Sequence, residues 1–328
     1  MKIFFNTYPV AFQCVGGGEI QLVKSKEALE KRGHEVILFD QWKHNLGEAD
    51  VVHQFSVQGG IYNFCNYVHR NRIPLVISPI LWLADCIDDY PMGEIGYMTQ
   101  VADVICPNSE AEVARFRQHF DISPEKFLVT HNGVDACFFD SVTPELFFSS
   151  YPIRDPFVLC VGNIEERKNQ LALLEATAAI GVHTVLIGNV RNAEYFAKMR
   201  KCFEGKFSYL GHMEHGCLLL RSAYSACIAF ALPSLLETPG LAALEAAAVG
   251  APLVITKEGC TAEYFGTGAF YVDPNDVEDI SEKLSLAINK TGGGAMLKER
   301  VRQFTWDRVA KELENAYEQA IESVKGQK

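Results

Sequence analysis

Residues 227–255 read CIAFALPSLLETPGLAALEAAAVGAPLVI, and the rest of the chain can be interpreted from this stretch. Apolar runs at its two ends are typical of buried strands. Between them, Thr238 is a good N-cap and a proline follows it, which predicts a helix over residues 239–249 that Gly250 closes. The N-terminus of this helix would open at the carboxyl end of a strand, where α/β proteins commonly bind phosphate.

Two acidic residues stand out in this stretch. Glu245 lies in an otherwise apolar, alanine-rich helix, and Glu237 lies eight residues earlier, just before the predicted helix start. A buried carboxylate is costly unless it is hydrogen-bonded. With a diphosphate on the helix amides, Glu237 would lie beside a sugar and Glu245, about two turns into the helix, beside a ribose. The spacing alone also fits two solvated carboxylates, and it leaves both interpretations open.

Composition limits the class of protein. The 328 residues fit two domains of about 150 residues each. The net charge is −11, and acidic residues exceed basic ones in both halves, which excludes a basic nucleic-acid footprint and permits at most weak peripheral membrane contact. The ten cysteines form no Cys-x-x-Cys pair, which favours free thiols in a reducing compartment. The first apolar run is too short for a signal peptide, and we expect a cytoplasmic protein.

Predicted strands alternate with predicted helices along the whole chain, which indicates parallel sheets covered on both faces. We therefore expect an α/β fold with two Rossmann-like, doubly wound domains facing a cleft, residues 1–150 and 151–328, and a linker over about 136–155. The C-terminal helices are expected to be able to cross back to the first domain. The predicted strands are 3–5, 34–39, 51–55, 74–78, 103–107, 127–130, 157–161, 184–187, 207–210, 227–232, 252–255 and 269–272, with helices that include 19–32, 61–70, 109–119, 169–180, 277–289 and 305–324 and a glycine turn at 292–294.

Two segments that follow predicted strands have the composition of phosphate sites. Gly17 and Gly18 precede a helix and let the backbone approach a ligand closely, although such a run of glycines also fits a flexible loop. Arg167 and Lys168 precede another helix, where cations oppose the helix dipole. A diphosphate would explain these two cations, and so would a solvated pair bridged to the neighbouring glutamates. A full Gly-x-Gly-x-x-Gly is missing, which argues against a dehydrogenase.

Several motifs, in this order along the chain, resemble those of glycosyltransferase family 4, whose members are retaining nucleotide-sugar glycosyltransferases of the GT-B fold. The motifs are Gly17-Gly18-Glu19, Arg32-Gly33-His34-Glu35-Val36, Asn132-Gly133-Val134-Asp135, Gly162 to Asn169, Tyr209-Leu210-Gly211, Glu237-Thr238-Pro239-Gly240-Leu241 with Glu245, and Gly250-Ala251-Pro252-Leu253-Val254.

The resemblance implies a role for each matching position. Glu237, Lys168 and Arg167 would form the catalytic group, with Glu237 contacting the transferred sugar and the two cations neutralising the diphosphate. The implied donor-binding residues are Gly17, Gly18, Met213, Thr238, Gly240, Leu241 and Glu245, with Met213 near the base, the amides around Gly240 on the diphosphate and Glu245 on the ribose.

The resemblance also implies that no metal and no cofactor is needed, because the nucleotide sugar, a UDP- or GDP-sugar, is a substrate. Retention would follow from front-face attack by a glycan, lipid-linked or small-molecule acceptor, in the biosynthesis of a surface polysaccharide or glycolipid. Two departures stand against this. Asn163 occupies a place where the family often has arginine, for which Arg167 would substitute. Ser78 to Trp82 occupy a place where the family often has a histidine, and His53, His69 and His131 are predicted to be structural or exposed.

Two alternatives stay open, and the missing histidine favours the first of them. One is a catalytically degenerate nucleotide-sugar-binding protein. The other is a nucleotide-sugar epimerase or hydrolase on the same fold, which would need an acid/base pair that the sequence does not display.

Overall fold

The computed structural model describes residues 1–13, 15–83, 87–88, 90–289 and 293–326. The chain divides into two compact units, one formed by Met1–Gly133 with Trp306–Lys328 and the other by Val134–Thr305. Each unit contains one parallel β-sheet with helices packed against it. The division falls after residue 133 rather than at the expected residue 150, and the last helix belongs to the first unit.

The first unit contains a five-stranded sheet in the order β2-β1-β3-β4-β5. All its neighbouring strands are parallel, and apolar side chains of β1 and β4 lie fully buried between the helical layers. The elements of this unit are β1 Lys2–Asn6, α1 Gly17–Lys31, β2 Glu35–Leu38, β3 Val51–Phe55, α2 Tyr62–Arg70, β4 Leu75–Ser78, α3 Met92–Val101, β5 Val104–Ile105, α4 Glu110–His119 and α13 Trp306–Gly326.

Helix α13 joins the first unit through one buried face and one ion-pair cluster. Its buried residues recur at helical spacing and include Leu313, Ala316 and Tyr317. At its edge Glu314 accepts hydrogen bonds from Arg32, with an Nη2–Oε2 distance of 2.7 Å, and lies 2.7 Å from His34 Nε2. The helix therefore packs against α1, although about 275 residues separate the two in sequence.

The prediction of a sixth strand at residues 127–130 is wrong. Phe127 forms an isolated bridge with Ile105, and the next pairing is a single hydrogen bond from the Thr130 amide to the Pro107 carbonyl, 2.9 Å long. Pro107 has no N–H to return, so the ladder beyond β5 is interrupted.

The second unit contains a six-stranded parallel sheet in the order β11-β10-β9-β6-β7-β8. Its elements are α5 Glu145–Ser150, β6 Phe157–Val161, α6 Gln170–Ala179, β7 His183–Ile187, α7 Ala193–Cys202, β8 Phe207–Tyr209, α8 Leu218–Ala226, β9 Ala229–Leu232, α9 Leu241–Val249, β10 Leu253–Thr256, α10 Thr261–Phe265, β11 Phe270–Val272, α11 Val277–Asn289 and α12 Gly293–Val301.

The linker predicted over residues 136–155 is also wrong. A 3-10 helix covers Ala136–Phe139, and α5 packs against α8. Phe147 of α5 is fully buried, and its amide donates a 2.9 Å hydrogen bond to Ser222 Oγ. Large aromatic side chains provide this burial without a helical period, which is why the segment resembled a linker.

Besides α5, the helices that were not predicted are α3, α7, α8, α10 and α12. Helix α12 begins at Gly293, within the turn predicted at 292–294, while Gly292 lies outside the described residues. Within the described part of the chain, no helix combines the length and the apolar composition needed to cross a bilayer.

The strand order fixes where a ligand would bind in each unit. In the second unit, β7 lies on one side of β6 and β9 lies on the other, so the direction of chain progression reverses between β6 and β9. In the first unit the same reversal occurs between β1 and β3. Doubly wound sheets bind ligands in the crevice outside the carboxyl ends of the strands at this reversal.

Candidate active site

The reversal point of the second unit holds a buried acid paired with a lysine. Lys168 follows β6 and Glu237 follows β9, and Lys168 Nζ lies 2.5 Å from Glu237 Oε1. Ser234 Oγ donates a 2.6 Å hydrogen bond to the same carboxylate oxygen. Glu237 is only 4% exposed. Residues from two neighbouring strand ends therefore fix one carboxylate in place.

The charge state of Glu237 follows from its neighbours. Burial by itself would raise the pKa of Glu237, but the positive charges of Lys168 and Arg167 and the Ser234 hydrogen bond outweigh burial and hold the pKa below its usual value. Glu237 is therefore a carboxylate at neutral pH, and it cannot act as a general acid there.

The turn after β6 is bonded to the loop after β9 at several points. The Leu235 amide donates to the Arg167 carbonyl at 2.8 Å, and Arg167 Nη1 donates to the Leu236 carbonyl at 3.2 Å. The Arg167 side chain is half exposed and pairs with Glu165 at 3.2 Å. The interpretation as a solvated pair thus holds for Arg167 and fails for Lys168, whose partner is Glu237.

Helix α9 begins two residues later than predicted. Gly240 is the N-cap, rather than Thr238, with φ of +88°. The left-handed φ favours glycine, and a Cβ at this position would crowd Glu237 Oε2 at 3.2 Å and a Leu232 methyl at 3.1 Å. Within the described residues, the amides of Leu241 and Ala242 have no hydrogen-bond acceptor. They are the free donors of a helix N-terminus at the reversal point.

Glu245 lies about one turn into α9, not two turns as predicted, because the helix starts at Leu241. It is 5% exposed, which rules out the solvated interpretation. Tyr224 donates a 2.7 Å hydrogen bond to Glu245 Oε2. His215 Nδ1 lies 3.2 Å from Glu245 Oε1. The second acid is therefore held from two sides, by α8 and by the loop before it.

His215 is a residue that sequence reasoning missed. Its Nε2 lies 2.7 Å from Asp135 Oδ2, so the imidazole lies between two carboxylates. Burial by itself would lower the pKa of His215, but the interactions with Asp135 and Glu245 outweigh it and raise the pKa to about 9. The only signals in the sequence were its place two residues after Met213 and the presence of Asp135 in a recognised motif.

Residues 144–304, which contain both acids and Lys168, match the family model described as "Glycosyl transferases group 1". A D-inositol 3-phosphate glycosyltransferase of Actinosynnema mirum is 30% identical over 329 residues, covering 87% of this chain and 76% of that protein. The chain belongs to the group 1 glycosyl transferases.

Another similarity of this group 1 glycosyl transferase covers a smaller part of the chain. The O-antigen chain mannosyltransferase B of Escherichia coli is 28% identical over 174 residues, 49% of this chain and 45% of that protein. The chain spans about half the length of the first curated relatives it matches.

Solved structures of other proteins share its fold. A sucrose-phosphate synthase of Thermosynechococcus elongatus has a TM-score of 0.80 at 17% identity and covers 97% of this chain and 99% of that one. Anabaena Alr3699/HepE in complex with UDP-glucose has a TM-score of 0.77 at 18% identity and covers 96% and 98%. The prediction of two Rossmann-like domains of the GT-B class is confirmed.

The remaining predicted residues of this glycosyl transferase lie as follows. Met213 is half-buried in the loop between β8 and α8, the loop that also carries His215. Thr238 is half-buried in the loop before α9. Gly17 and Gly18 are the first residues of α1 in the first unit, and a Cβ on Gly18 would lie 3.4 Å from the Ile80 side chain.

The two departures from the family pattern also have a structural setting. Ser78, at the end of β4, bonds through Oγ to His53 Nε2 at 2.9 Å, and Tyr317 bonds the other ring nitrogen at 2.8 Å. His53 is fully buried, and burial lowers its pKa to about 3, so it stays neutral and structural. The backbone carbonyl of Asn163 accepts a 2.9 Å hydrogen bond from the Gln170 side-chain amide.

Proposed function

We propose that this protein is a glycosyltransferase that moves a sugar from a nucleoside-diphosphate sugar to a hydroxyl-bearing acceptor. The observation that carries the proposal is the buried Lys168–Glu237–Ser234 cluster at the reversal point of the second sheet, beside the free amides of α9. The family membership of the chain and the UDP-glucose complex of the similarly folded Anabaena protein support a nucleotide-sugar donor.

The proposed donor position uses the two buried acids. The ribose hydroxyls would donate to Glu245, which retains acceptor capacity because each of its oxygens has one partner among the described residues. The diphosphate would accept hydrogen bonds from the amides of Leu241 and Ala242 at the positive end of α9. Arg167 and Lys168 would offset its negative charge. The transferred sugar would then lie against Glu237.

The proposed reaction is a front-face displacement with retention. The bond between the anomeric carbon and the leaving phosphate oxygen breaks, the acceptor oxygen bonds to the same face of that carbon, and the acceptor proton passes to the phosphate oxygen. Glu237 is already engaged by Lys168 and Ser234, which suits it to hold the sugar and to offset positive charge that develops on the ring. In this proposal, the negative charge of the leaving diphosphate is offset by lysine, arginine and helix amides, without a metal ion.

The proposed acceptor class rests on the names of the matched relatives and on the hydroxyl groups that their acceptors present. The matched relatives are named for an O-antigen chain and for D-inositol 3-phosphate, which both present hydroxyl groups. We therefore propose a glycan, lipid-linked or small polyhydroxy acceptor, in polysaccharide or glycolipid biosynthesis in the cytoplasm.

The first test is a thermal-shift screen of the whole chain with UDP, GDP and ADP and with their glucose and mannose conjugates. A ligand that binds only the native state raises the melting temperature by mass action. We expect one nucleotide series to raise it and the others to have no effect. Absence of a shift with every nucleotide and nucleotide sugar would contradict the proposal.

A second candidate is a nucleotide-sugar-binding protein without transferase chemistry. Ser78 favours it, because this residue stands where the family often has a histidine and is engaged by His53. The two candidates separate by turnover. The protein is incubated with the donor that stabilises it and with a panel of acceptors, namely monosaccharides, inositol phosphates and lipid-extract glycans. Release of the nucleoside diphosphate supports the transferase, whereas tight donor binding with no release supports the binding protein.

A further inference from the structure

The environment of His215 is unusual for a residue outside the recognised motifs. Each of its ring nitrogens faces a carboxylate oxygen, Asp135 Oδ2 at 2.7 Å and Glu245 Oε1 at 3.2 Å. The Phe138 ring meets the imidazole edge-on at a centroid distance of 5.7 Å. Within the described residues, His215 is the one positively chargeable side chain at ion-pair distance from Glu245.

This geometry determines the protonation state of the ring. A carboxylate can only accept hydrogen bonds, so a nitrogen that faces it must carry a proton. A neutral imidazole has one N–H, and its other nitrogen would oppose a carboxylate lone pair. Two facing carboxylates therefore require the doubly protonated imidazolium, and this cation offsets part of the cost of burying Glu245.

We propose that His215, oriented by Asp135, is a positioning residue that holds the Glu245 carboxylate for the ribose of the nucleotide donor. The proposal rests on the function proposed above, which assigns the ribose to Glu245. His215 itself does not contact the donor. It fixes the rotamer of Glu245 and keeps its charge compensated, while Tyr224 holds the second oxygen.

A pH dependence follows from the same geometry. The groups that face His215 and its partner are Asp135 before the 3-10 helix, Glu245 on α9 and the hydroxyl of Tyr224 on α8. The pKa of His215 is raised to about 9, and burial keeps the pKa of Tyr224 well above its ordinary value. The positive charge on His215, which offsets the charge of Glu245, is therefore present below about pH 9 and is lost as the pH rises through that value.

The test compares two neutral substitutions by calorimetric titration with UDP, GDP and ADP. The side-chain amide nitrogen of an asparagine lies near the position of the histidine Nδ1, and that of a glutamine lies near the position of Nε2. His215→Gln keeps a donor toward Asp135 and loses the one toward Glu245, so we expect about tenfold weaker binding. His215→Asn keeps a neutral donor toward Glu245, so we expect a loss of about threefold. Both proteins should melt cooperatively, which shows that they are folded.

The decisive arm uses the 2′,3′-dideoxy form of whichever of the three nucleotides binds wild type. Without ribose hydroxyls, Glu245 has nothing to hold, so His215→Gln should weaken this analogue by less than about twofold. Between about pH 7.5 and about pH 10, wild-type affinity for the ribose form should decline relative to His215→Gln, whose profile also accounts for titration of the base.

The outcomes separate the two proposals. If wild type binds none of the three nucleotides, the proposed function fails and this inference fails with it. If wild type binds one of them and prefers its ribose form, but His215→Gln weakens the ribose and dideoxy forms equally, the donor site stands and the positioning role of His215 is overturned. An unchanged affinity in His215→Gln overturns it as well.

Discussion

The two buried acids of the second unit are only eight residues apart, yet their partners differ in kind. Glu237 is held by the ammonium group of Lys168 and by Ser234. Glu245 is held by the imidazole of His215 and by Tyr224. Both arrangements offset the cost of burying a carboxylate, one with an ammonium group and the other with an imidazole whose pKa is raised to about 9. The proposed ribose site therefore loses its cation as the pH rises through about 9, which makes the imidazole the pH-sensitive partner of Glu245.

The largest effect is expected at the Lys168–Glu237 pair. Lys168→Met removes the cation and leaves a buried, unpaired carboxylate, which should cost about 3–5 kcal/mol of stability and at least about 100-fold in turnover. The double variant Lys168→Met/Glu237→Gln should regain most of the melting temperature and none of the turnover. Thermal unfolding and initial-rate assays measure the two effects.

A matched control for this pair is Lys201→Ala, because Lys201 is exposed on α7. It removes the same charge from the unit at a remote surface. Wild-type turnover in Lys168→Met, or equal losses in Lys168→Met and Lys201→Ala, would remove Lys168 from the proposed site.

Glu245→Gln should act on binding rather than on turnover. It keeps the shape of the side chain and removes the negatively charged carboxylate, which accepts hydrogen bonds from the ribose and from His215. We expect nucleoside diphosphate affinity to fall about 10- to 50-fold and turnover at saturating donor to change by less than about fivefold. Calorimetry and saturation kinetics, with the exposed Glu204→Gln as control, measure this split. A loss confined to kcat would reverse the roles assigned to the two acids.

Gly259→Ala should disturb Glu237 without touching Glu245. Gly259 has φ of +101°, and a Cβ there would lie 2.0 Å from the Glu237 carbonyl oxygen, so the backbone must shift. Gly181→Ala is the control, since Gly181 has φ of +71° with open space around the added atom. Strain at the control should cost about 1 kcal/mol, and Gly259→Ala should cost clearly more and lower turnover about tenfold. Equal melting temperatures for the two variants would show that the loop does not hold Glu237.

The smallest effect is expected on removal of divalent metal ions. If Lys168, Arg167 and the α9 amides offset the negative charge of the leaving diphosphate, EDTA treatment should change turnover by less than about twofold. Rates with and without chelator, after exhaustive dialysis, measure this. A rate that disappears with EDTA and returns with Mg²⁺ or Mn²⁺ would contradict the proposed charge balance.

Local sequence pattern was sufficient to predict much of the second sheet. Strands β9 and β10 are apolar runs bounded by turn residues, and Gly250 in the left-handed region closes α9 as predicted. The start of α9 was missed because local preference favoured Thr238 and a proline, whereas the left-handed Gly240 turns the chain into the helix. The depth of Glu245 in the helix was misjudged for the same reason.

Non-local contacts could not be predicted from the sequence. Glu237 meets Lys168 across 69 residues, and Glu245 meets Tyr224 across 21, so only the folded sheet brings them together. His215 had no motif or period to mark it. The segment of Phe147 was taken for a linker because its aromatic side chains bury without helical spacing, and that misreading moved the expected domain boundary.

The most direct test of the proposed donor site is a crystal structure of the protein with the nucleoside diphosphate that stabilises it most. We expect both ribose hydroxyls within hydrogen-bond distance of the Glu245 carboxylate and diphosphate oxygens on the amides of Leu241 and Ala242. Nucleotide bound elsewhere, or bound here with its ribose turned away from Glu245, would contradict the account.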